Sequence, residues 1–286
     1  MTFKTLRRNI KYLYKNNIKG ILLDNMLDGI IEERIIEYIE NFPKIMTIDD
    51  TINYIKQNNS SLARFGDGEI ALIQGENIPF QAASKLLSDR LIEVLSADKL
   101  NFEIGIPKFI YSSKKHLIEI SQNFWTANGK KFRDIINPYL NLNKHYLAAE
   151  FTIADTAYKK MDREKYYSSL KEIWKNKDIT IICGKTVFDD IKYNIYDEAK
   201  SVEYQYAPAV NAFDDYNNIL EQALKIDKNR KIIIILGPTA KVLAYDLFLN
   251  GYVALDMGHV AKQYDWYMKG HKINNMSDAV EFFNAD

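Results

Sequence analysis

The segment from Lys231 to Val260, KIIIILGPTAKVLAYDLFLNGYVALDMGHV, constrains the fold more than any other part of the sequence. Its pattern predicts an apolar strand, a Gly-Pro-Thr turn, a helix and a second strand, which together make a compact βαβ unit. Nearly continuous runs of Ile and Val are typical of strands that are buried on both faces. The sequence therefore predicts an α/β fold with a Rossmann-like, largely parallel sheet flanked by helices.

Strands and helices alternate in the same way over most of the chain. Two strands are predicted within Lys231–Val260, and four more lie before them: one ending at the Gly66 turn, Phe102–Pro107, Ile179–Gly184 and Ser201–Tyr206. Helices are predicted near 48–57, near 83–96 and around Ser113–Phe124. We expect three parts: a helical N-terminal extension over 1–45, an α/β domain over 46–272 and a C-terminal tail over 273–286.

Composition limits the class of protein. A chain of 286 residues with 47% hydrophobic residues can bury a large core. Lys and Arg together number 38, as do Asp and Glu, so no overall positive field favours nucleic acid as a partner. The single cysteine, Cys183, excludes an internal disulfide and a thiolate zinc cluster, which fits a reducing cytoplasm.

The sequence contains no apolar run of about 18 residues, and its N-terminus lacks the apolar core and the cleavage site of a signal peptide, so we expect a cytoplasmic protein. Residues 1–22 are basic, and apolar residues recur among them at helical spacing. One interpretation is a helix that lies on the inner face of an anionic membrane. The other is an ordinary helix packed on the body of the protein with a solvated basic face.

The stretch RFGDGE, Arg64–Glu69, follows a short apolar strand and contains two carboxylates. Asp67 stands between two glycines, and Glu69 follows the second of them. If the chain stays extended there, Asp67 and Glu69 project to the same side and could bind one cation. Alternatively, the glycines and Asp67 form an ordinary turn, and Glu69 favours the N-terminus of a following helix. The hexamer alone leaves both interpretations open.

The turn at Gly237–Ala240 is the second candidate site. Ligands of parallel sheets bind at the carboxyl ends of the strands, where helix N-termini present free backbone N–H groups. Gly237, Pro238 and Thr239 could therefore cradle a diphosphate. They would also make a good helix start, with Pro238 in the first turn and Thr239 as a cap.

Several ordered motifs together resemble the bacterial glycosyltransferases of the GT-D fold, a former domain of unknown function. The motifs are RFGDGE (Arg64–Glu69), IPF (Ile78–Phe80), APAVNAF (Ala207–Phe213), LGPTAKVLAYDL (Leu236–Leu247) and DMGHVAKQYDW (Asp256–Trp266). The resemblance covers roughly residues 46–270. It implies a metal-dependent enzyme that uses a nucleotide sugar, typically UDP-glucose, in the glycosylation of proteins or surface glycans.

The resemblance assigns a role to individual residues. Its Asp-X-Glu motif implies that Asp67 and Glu69 bind the metal, and oxygen ligands favour Mn²⁺ or Mg²⁺. The implied contacts to the nucleotide sugar are Arg64, Phe65, Gly66, Gly68, Asn211, Gly237, Pro238 and Thr239. Arg64 could bind phosphate in a bidentate manner or form a salt bridge at the rim of the core.

Transfer of a sugar requires a group that removes the proton of the acceptor hydroxyl, and His259 and Asp265 are the candidates. Both follow the last predicted strand. Asp265 stands where the family more often has Glu, so a carboxylate persists on a shorter side chain. In the structural alternative, His259 caps the strand and Asp265 pairs with Lys262 or Lys269.

The sequence thus predicts a glycosyltransferase that moves a hexose, with glucose from UDP-glucose as the expected donor, to a glycan or glycopeptide acceptor. A metal-dependent nucleotide-sugar or phosphate-ester hydrolase would use the same acids and the same cradle. A sugar-nucleotide sensor or a membrane-docked assembly module without catalysis is the third class. A homo-oligomer is compatible with all three.

Overall fold

The structure, a computed structural model, describes residues 42–283. Within that range, eight strands form one sheet. The strands are β1 (Lys44–Ile45), β2 (Ser61–Arg64), β3 (Phe102–Ile106), β4 (His145–Ala148), β5 (Asp178–Gly184), β6 (Ser201–Ala207), β7 (Lys231–Ile235) and β8 (Ala254–Asp256). Their order is β1-β4-β3-β2-β8-β7-β5-β6, and every neighbouring pair is parallel. The predicted largely parallel α/β fold is confirmed.

Helices cover both faces of the sheet. In the described range they are α1 (Ile48–Gln57), α2 (Asp67–Ile73), α3 (Lys85–Leu95), α4 (Glu119–Ile136), α5 (Ala154–Ala157), α6 (Arg163–Lys171), α7 (Tyr216–Ala223), α8 (Thr239–Leu249), α9 (Val260–Lys269) and α10 (Met276–Phe283). Three of them begin at a residue whose side chain accepts from a backbone N–H group of the first turn. Thr47 caps α1, Ser84 caps α3 and Asp162 caps α6 through their side-chain oxygens.

The six predicted strands are all present, with ends within about two residues of the expected positions. The helix predicted around Ser113–Phe124 begins only at Glu119. The backbone before it is used elsewhere, because Leu117 bridges to Tyr158 and the N–H of Ile118 donates to the carbonyl of Ala157 at 2.9 Å. That tertiary pairing replaces the first turns of the predicted helix.

Alternate residues of the central strands enter opposite faces of the sheet, as a period of two requires. Leu62, Ile233 and Leu255 pack on one face with the residues of α1, α6 and α9. Ile232, Ile234 and Ala254 pack on the other face against α7 and α8. The sheet is therefore buried on both sides, which explains the unbroken apolar runs of β5 and β7.

The two halves of the sheet meet where β2 lies beside β8. The hydroxyl of Ser61 fixes this junction, since it donates to the carbonyl of Tyr252 at 3.3 Å and accepts from the N–H of Ala254 at 3.0 Å. The first half of the chain builds one side of the junction and the second half builds the other. Ligands of open parallel sheets bind beside such a junction, at the carboxyl ends of the strands.

Part of the predicted organisation lies beyond the range that the structure describes. The N-terminal extension over 1–45 falls almost entirely outside it, and so does the basic segment 1–22. The predicted tail over 273–286 includes α10, whose Phe282 is fully buried. Among residues 42–283, no helix has the length and apolar character needed to cross a membrane.

Candidate active site

The turn between β2 and α2 holds both carboxylates of the Asp-X-Glu motif. Residues Asp67 to Ile73 are helical, so the extended chain that would aim Asp67 and Glu69 in one direction is wrong. Residues two apart in a helix lie about 200° apart around its axis. The alternative for Glu69 is confirmed: its Oε2 accepts from the N–H of Gly66 at 2.7 Å and stabilises the start of α2.

Asp67 is the first residue of α2 and is exposed. Its pKa is raised, first by burial among the surrounding atoms and then by the negative charge of Glu69. Protein atoms around the carboxylate raise its pKa, while the residue remains accessible to solvent. Such a carboxylate is placed to bind a ligand.

Glu69 belongs to a cluster of four charged side chains at the β2–β8 junction. We call Arg64, Glu69, Lys241 and Asp256 the ionic cluster. The Nζ of Lys241 lies 2.8 Å from Oε1 of Glu69 and 3.1 Å from Oδ2 of Asp256. The Nη2 of Arg64 lies 3.1 Å from Oδ1 of Asp256. Two cations and two anions therefore alternate and neutralise one another.

Asp256 ends β8 and is 1% exposed. Burial on its own would raise the pKa of this carboxyl, but the charges of Arg64 and Lys241 outweigh burial and hold the pKa below its usual range. The carboxylate also accepts from the backbone N–H of Arg64 at 3.1 Å. Asp256 is thus an ionised, fully bonded link between the two halves of the sheet.

Arg64 crosses the β2–β8 junction, and most of its guanidinium N–H groups donate to acceptors around it. Its Nε donates to the carbonyl of Asp256 at 2.8 Å, and its Nη1 donates to the carbonyl of Ala149 at 3.1 Å and the hydroxyl of Thr152 at 2.6 Å. Gly258 makes this path available, since a Cβ there would lie 2.0 Å from Nη2 of Arg64. The expected salt bridge of Arg64 is confirmed, while its predicted phosphate contact stays a prediction.

The turn after β7 has the backbone that a cradle requires, with Gly237 at φ +48°. Pro238, not Thr239, is the N-cap residue of α8. The hydroxyl of Thr239 is buried without a hydrogen-bond partner in the described structure. The ring of Phe80, from the IPF motif, lies 2.9 Å from the position of a Cβ on Gly237. The IPF and GPT motifs therefore meet at this turn.

The structure also places the other residues predicted to contact the nucleotide sugar. Asn211, at φ 52°, joins its loop to residues 80–82: its N–H donates to the carbonyl of Phe80 at 2.9 Å, and its Oδ1 accepts from the N–H of Ala82 at 2.8 Å. Phe65 is 1% exposed, so its side chain belongs to the core. Gly68 belongs to α2 and faces the side chain of Ile78, which lies outside that helix. Their contacts to a ligand stay predictions.

His259 is the N-cap residue of α9 and is partly exposed. Its ring lies 5.7 Å from the rings of Phe282 and Phe283 of α10, measured between centroids. Burial, followed by the positive charges of Arg64 and Lys262, lowers the pKa of His259 to about 4. The imidazole is therefore neutral at neutral pH, and it has a nitrogen lone pair of low basicity.

Asp265 is 2% exposed, and both of its oxygens have partners. Its Oδ1 accepts from the backbone N–H groups of Lys192 and Tyr193 at 2.9 and 3.0 Å, and its Oδ2 lies 2.6 Å from Nζ of Lys269. The predicted pairing with Lys269 is confirmed. These contacts make Asp265 the anchor of the loop around residue 192, and its predicted part in proton transfer stays untested.

Sequence reasoning missed the roles of Lys241 and Asp256. Both lie inside the quoted motifs, and each is a charged residue in an apolar context: Lys241 stands in the mostly buried helix α8, and Asp256 ends the buried strand β8. A lone charge in a segment that is otherwise buried signals a partner elsewhere, because an unpaired buried charge is costly. That signal was present in the sequence, although the partners were not identifiable.

A divalent metal, which the fold family implies, can be tested against these residues. The described range contains no group of three or more His, Cys, Asp and Glu side chains arranged to hold a metal. Asp67 offers a carboxylate without a cationic partner there, and its pKa is raised first by burial and then by repulsion from Glu69. A cation would relieve that repulsion. The site therefore fits a metal that takes Asp67 from the protein and its other oxygens from ligand and water.

The family model of the glycosyltransferase GT-D fold matches residues 62–279, which is most of the chain. The chain belongs to this family. Two curated streptococcal relatives agree with it. The "Probable glycosyl transferase Gly" of Streptococcus gordonii is 31% identical over 234 residues, and "Glycosyltransferase GlyD" of Streptococcus pneumoniae serotype 4 is 28% identical over 253 residues. These matches cover 80% and 86% of this chain but only 34% and 30% of the relatives.

Solved structures give the same result. A domain of unknown function 1792 described as having a distinct glycosyltransferase fold superposes with a TM-score of 0.77 at 31% identity, over 84% of this chain and 87% of that one. "A New Glycosyltransferase (DUF1792) from Streptococcus sanguinis" has a TM-score of 0.75 at 28% identity, over 82% and 88% of the two chains. The resemblance found in the sequence motifs is confirmed.

Proposed function

We propose that this domain transfers a hexose, glucose from UDP-glucose, to a hydroxyl of a glycan or glycopeptide acceptor, with Mn²⁺ or Mg²⁺ as cofactor. Membership of the glycosyltransferase family supports the class of reaction. The choice of donor and metal follows from the motif resemblance. The chain spans about a third of the curated relatives it matches, so the proposal concerns the activity of this domain.

The position of Asp67 carries the proposal. It is an exposed carboxylate at the carboxyl edge of a parallel sheet, beside the junction of β2 and β8. Gly237 and the buried, unpartnered hydroxyl of Thr239 follow the adjacent strand β7. Together these groups supply a cation ligand and polar contacts at the edge where nucleotides bind in such sheets.

The departing nucleoside diphosphate carries concentrated negative charge. The metal, when bound, would neutralise part of that charge and so favour departure of the diphosphate. Asp67 would hold the metal, and a bond from Glu69 to the metal, which the motif resemblance implies, would require Glu69 to leave Lys241. The backbone of Gly237 and the Thr239 hydroxyl would bind and orient the phosphates, and water would be displaced from the turn.

Of the two predicted proton acceptors, the geometry favours His259. Its imidazole is neutral and partly exposed, whereas the Asp265 oxygens are used by Lys269 and by two backbone N–H groups. His259 would therefore accept the proton from the acceptor hydroxyl at an imidazole nitrogen. Asp265 would act through position, by holding α9 and the loop around residue 192 together.

The test is acceptor-dependent formation of UDP from UDP-glucose by the purified full chain, with and without Mn²⁺. We expect UDP release to require both metal and a glycan or glycopeptide acceptor bearing a free hydroxyl. Sugar released as free glucose at the same rate without an acceptor would instead establish the hydrolase. Tight UDP-glucose binding without turnover across a broad acceptor panel would establish a sensor or assembly module.

A further inference from the structure

Lys241 is the most completely buried cation of the candidate site, with 6% of its side chain exposed. Its ammonium group has three donors and three oxygen partners. These are Oε1 of Glu69 at 2.8 Å, Oδ2 of Asp256 at 3.1 Å and the carbonyl of Gly237 at 3.0 Å. The side chain thus links the Asp-X-Glu motif, the end of β8 and the phosphate-binding turn.

The side chain of Lys241 also contributes to the charge balance of the site. Within the ionic cluster, the positive charges of Arg64 and Lys241 cancel the negative charges of Glu69 and Asp256. Both oxygens of Glu69 are occupied, one by Lys241 and the other by the N–H of Gly66. Around this turn of the described structure, Asp67 is left as the carboxylate without a cationic partner.

We infer that Lys241 is the resident counter-cation of the Asp-X-Glu motif and that it makes metal binding depend on the nucleotide diphosphate. A hard divalent cation binds tightly only where several oxygen ligands meet. With Lys241 in place, the protein offers the metal one free carboxylate, and the ammonium repels a second cation beside Glu69. The diphosphate supplies the missing oxygens and negative charge. This inference rests on the proposed function.

The experiment measures Mn²⁺ binding to the full chain by calorimetry, or by the electron paramagnetic resonance signal of free Mn²⁺, first without and then with UDP. For the wild type, we expect weak binding of Mn²⁺ alone and binding at least about tenfold tighter with UDP. Lys241→Met keeps the length of the side chain and removes the charge. We expect this variant to bind Mn²⁺ without UDP at least about tenfold more tightly than the wild type does.

Two control variants separate the charge at this position from general damage. Lys241→Arg keeps the charge and should behave as the wild type. Lys231→Met removes another lysine that is 7% exposed, at the opposite edge of the sheet where β7 begins, and should not change Mn²⁺ binding. Circular dichroism and thermal melting establish that each variant is folded. If Lys241→Met does not fold, Lys241→Gln takes its place.

Each outcome either supports or overturns the inference about Lys241. Tighter binding of Mn²⁺ alone by the charge-removing variant, but not by Lys241→Arg or Lys231→Met, supports the inference. A folded charge-removing variant that binds Mn²⁺ no better than the wild type overturns it, as does a wild type that binds Mn²⁺ equally with and without UDP; both leave the proposed function standing. Absence of UDP binding with or without Mn²⁺ overturns the proposed function as well.

Discussion

The helices that follow β2 and β8 begin at the same edge of the sheet, but their acidic residues differ in exposure and in binding partners. After β2, Asp67 stands exposed on a helix N-terminus without a cationic partner in the described structure. After β8, Asp265 is buried and bound by Lys269 and two backbone N–H groups. Two motif carboxylates that were both predicted to act in the site therefore differ in their accessibility to a ligand, and accessibility distinguishes a ligand-binding acid from a structural one.

The largest effect should come from Asp67→Asn. We expect transfer to fall about 100-fold or more, because the free charge of the site is lost. Stability should change by no more than about 0.5 kcal/mol, since the exposed carboxylate has no ion pair to lose. Initial rates with UDP-glucose and Mn²⁺, set beside thermal unfolding, provide the measurement. Transfer within threefold of the wild type would remove Asp67 from the site.

Glu69→Gln should lower both activity and stability, which separates Glu69 from its neighbour in the motif. The amide keeps an oxygen for the N–H of Gly66 but weakens the bond to Lys241, so we expect a loss of about 1–3 kcal/mol in the free energy of unfolding. Urea denaturation measures it. Glu76→Gln is the control, because the Glu76–Lys131 pair is exposed on both sides and should contribute little. Equal stability of Glu69→Gln and Glu76→Gln would contradict a stabilising contribution from the buried Glu69–Lys241 pair.

Asp265→Asn tests whether Asp265, in the helix α9 that follows β8, has a structural role. If Asp265 anchors its loop, this variant and Lys269→Met should each cost about 1–2 kcal/mol and lower the turnover of folded enzyme less than tenfold. The measurement pairs urea denaturation with turnover corrected for the folded fraction. A loss of about 100-fold or more in Asp265→Asn, with normal turnover in Lys269→Met, would instead identify Asp265 as the proton acceptor.

The smallest effect concerns pH. Since the pKa of His259 is lowered from 6.5 to about 4 in the folded protein, the imidazole stays neutral between pH 5.5 and 7.5. Protonation of His259 should therefore cause no inflection in turnover near pH 6.5. The contribution of His259 to stability is complete above pH 6.5 and is lost as pH falls through 4.

Two measurements examine this prediction. The difference in melting temperature between the wild type and His259→Asn should shrink on acidification from pH 7 to pH 4.5. A nuclear magnetic resonance titration should find the midpoint of His259, identified by its absence in the variant, well below pH 6. A midpoint near 6.5 would show that the ring is solvated and that the packing on Phe282 and Phe283 is not maintained.

The architecture was predictable because β5 and β7 are long and apolar on both faces, and runs of that kind leave few alternatives to a covered parallel sheet. The strands β1 and β4 were not predicted. They contain two and four residues, and no glycine turn marks their ends as Gly66 and Gly258 do for the short strands β2 and β8. β1 pairs with β4 and β4 pairs with β3, and these tertiary contacts cannot be inferred from the local sequence.

The edge of the sheet at which the candidate residues lie was predictable, but the bonds between charged residues there were not. Turn chemistry and the carboxyl-edge rule put Asp67, Gly237 and His259 after strands that end at the same edge. The bond between Glu69 and Lys241 joins residues far apart in the chain, and spacing cannot reveal such a pair. The helical start of α2 was also missed in favour of an extended chain, because glycines before Glu69 are compatible with both conformations.

The path of Arg64 has a consequence for the order in which the molecule assembles. Its guanidinium and backbone N–H bond to groups 85, 88 and 192 residues further along the chain. Contacts that span such long loops form late in folding, because the entropy of closing the loops must be lost before the contacts compensate for it. The site is therefore completed only when both halves of the sheet have docked. A chain in which only one half of the sheet has folded would lack the complete ionic cluster.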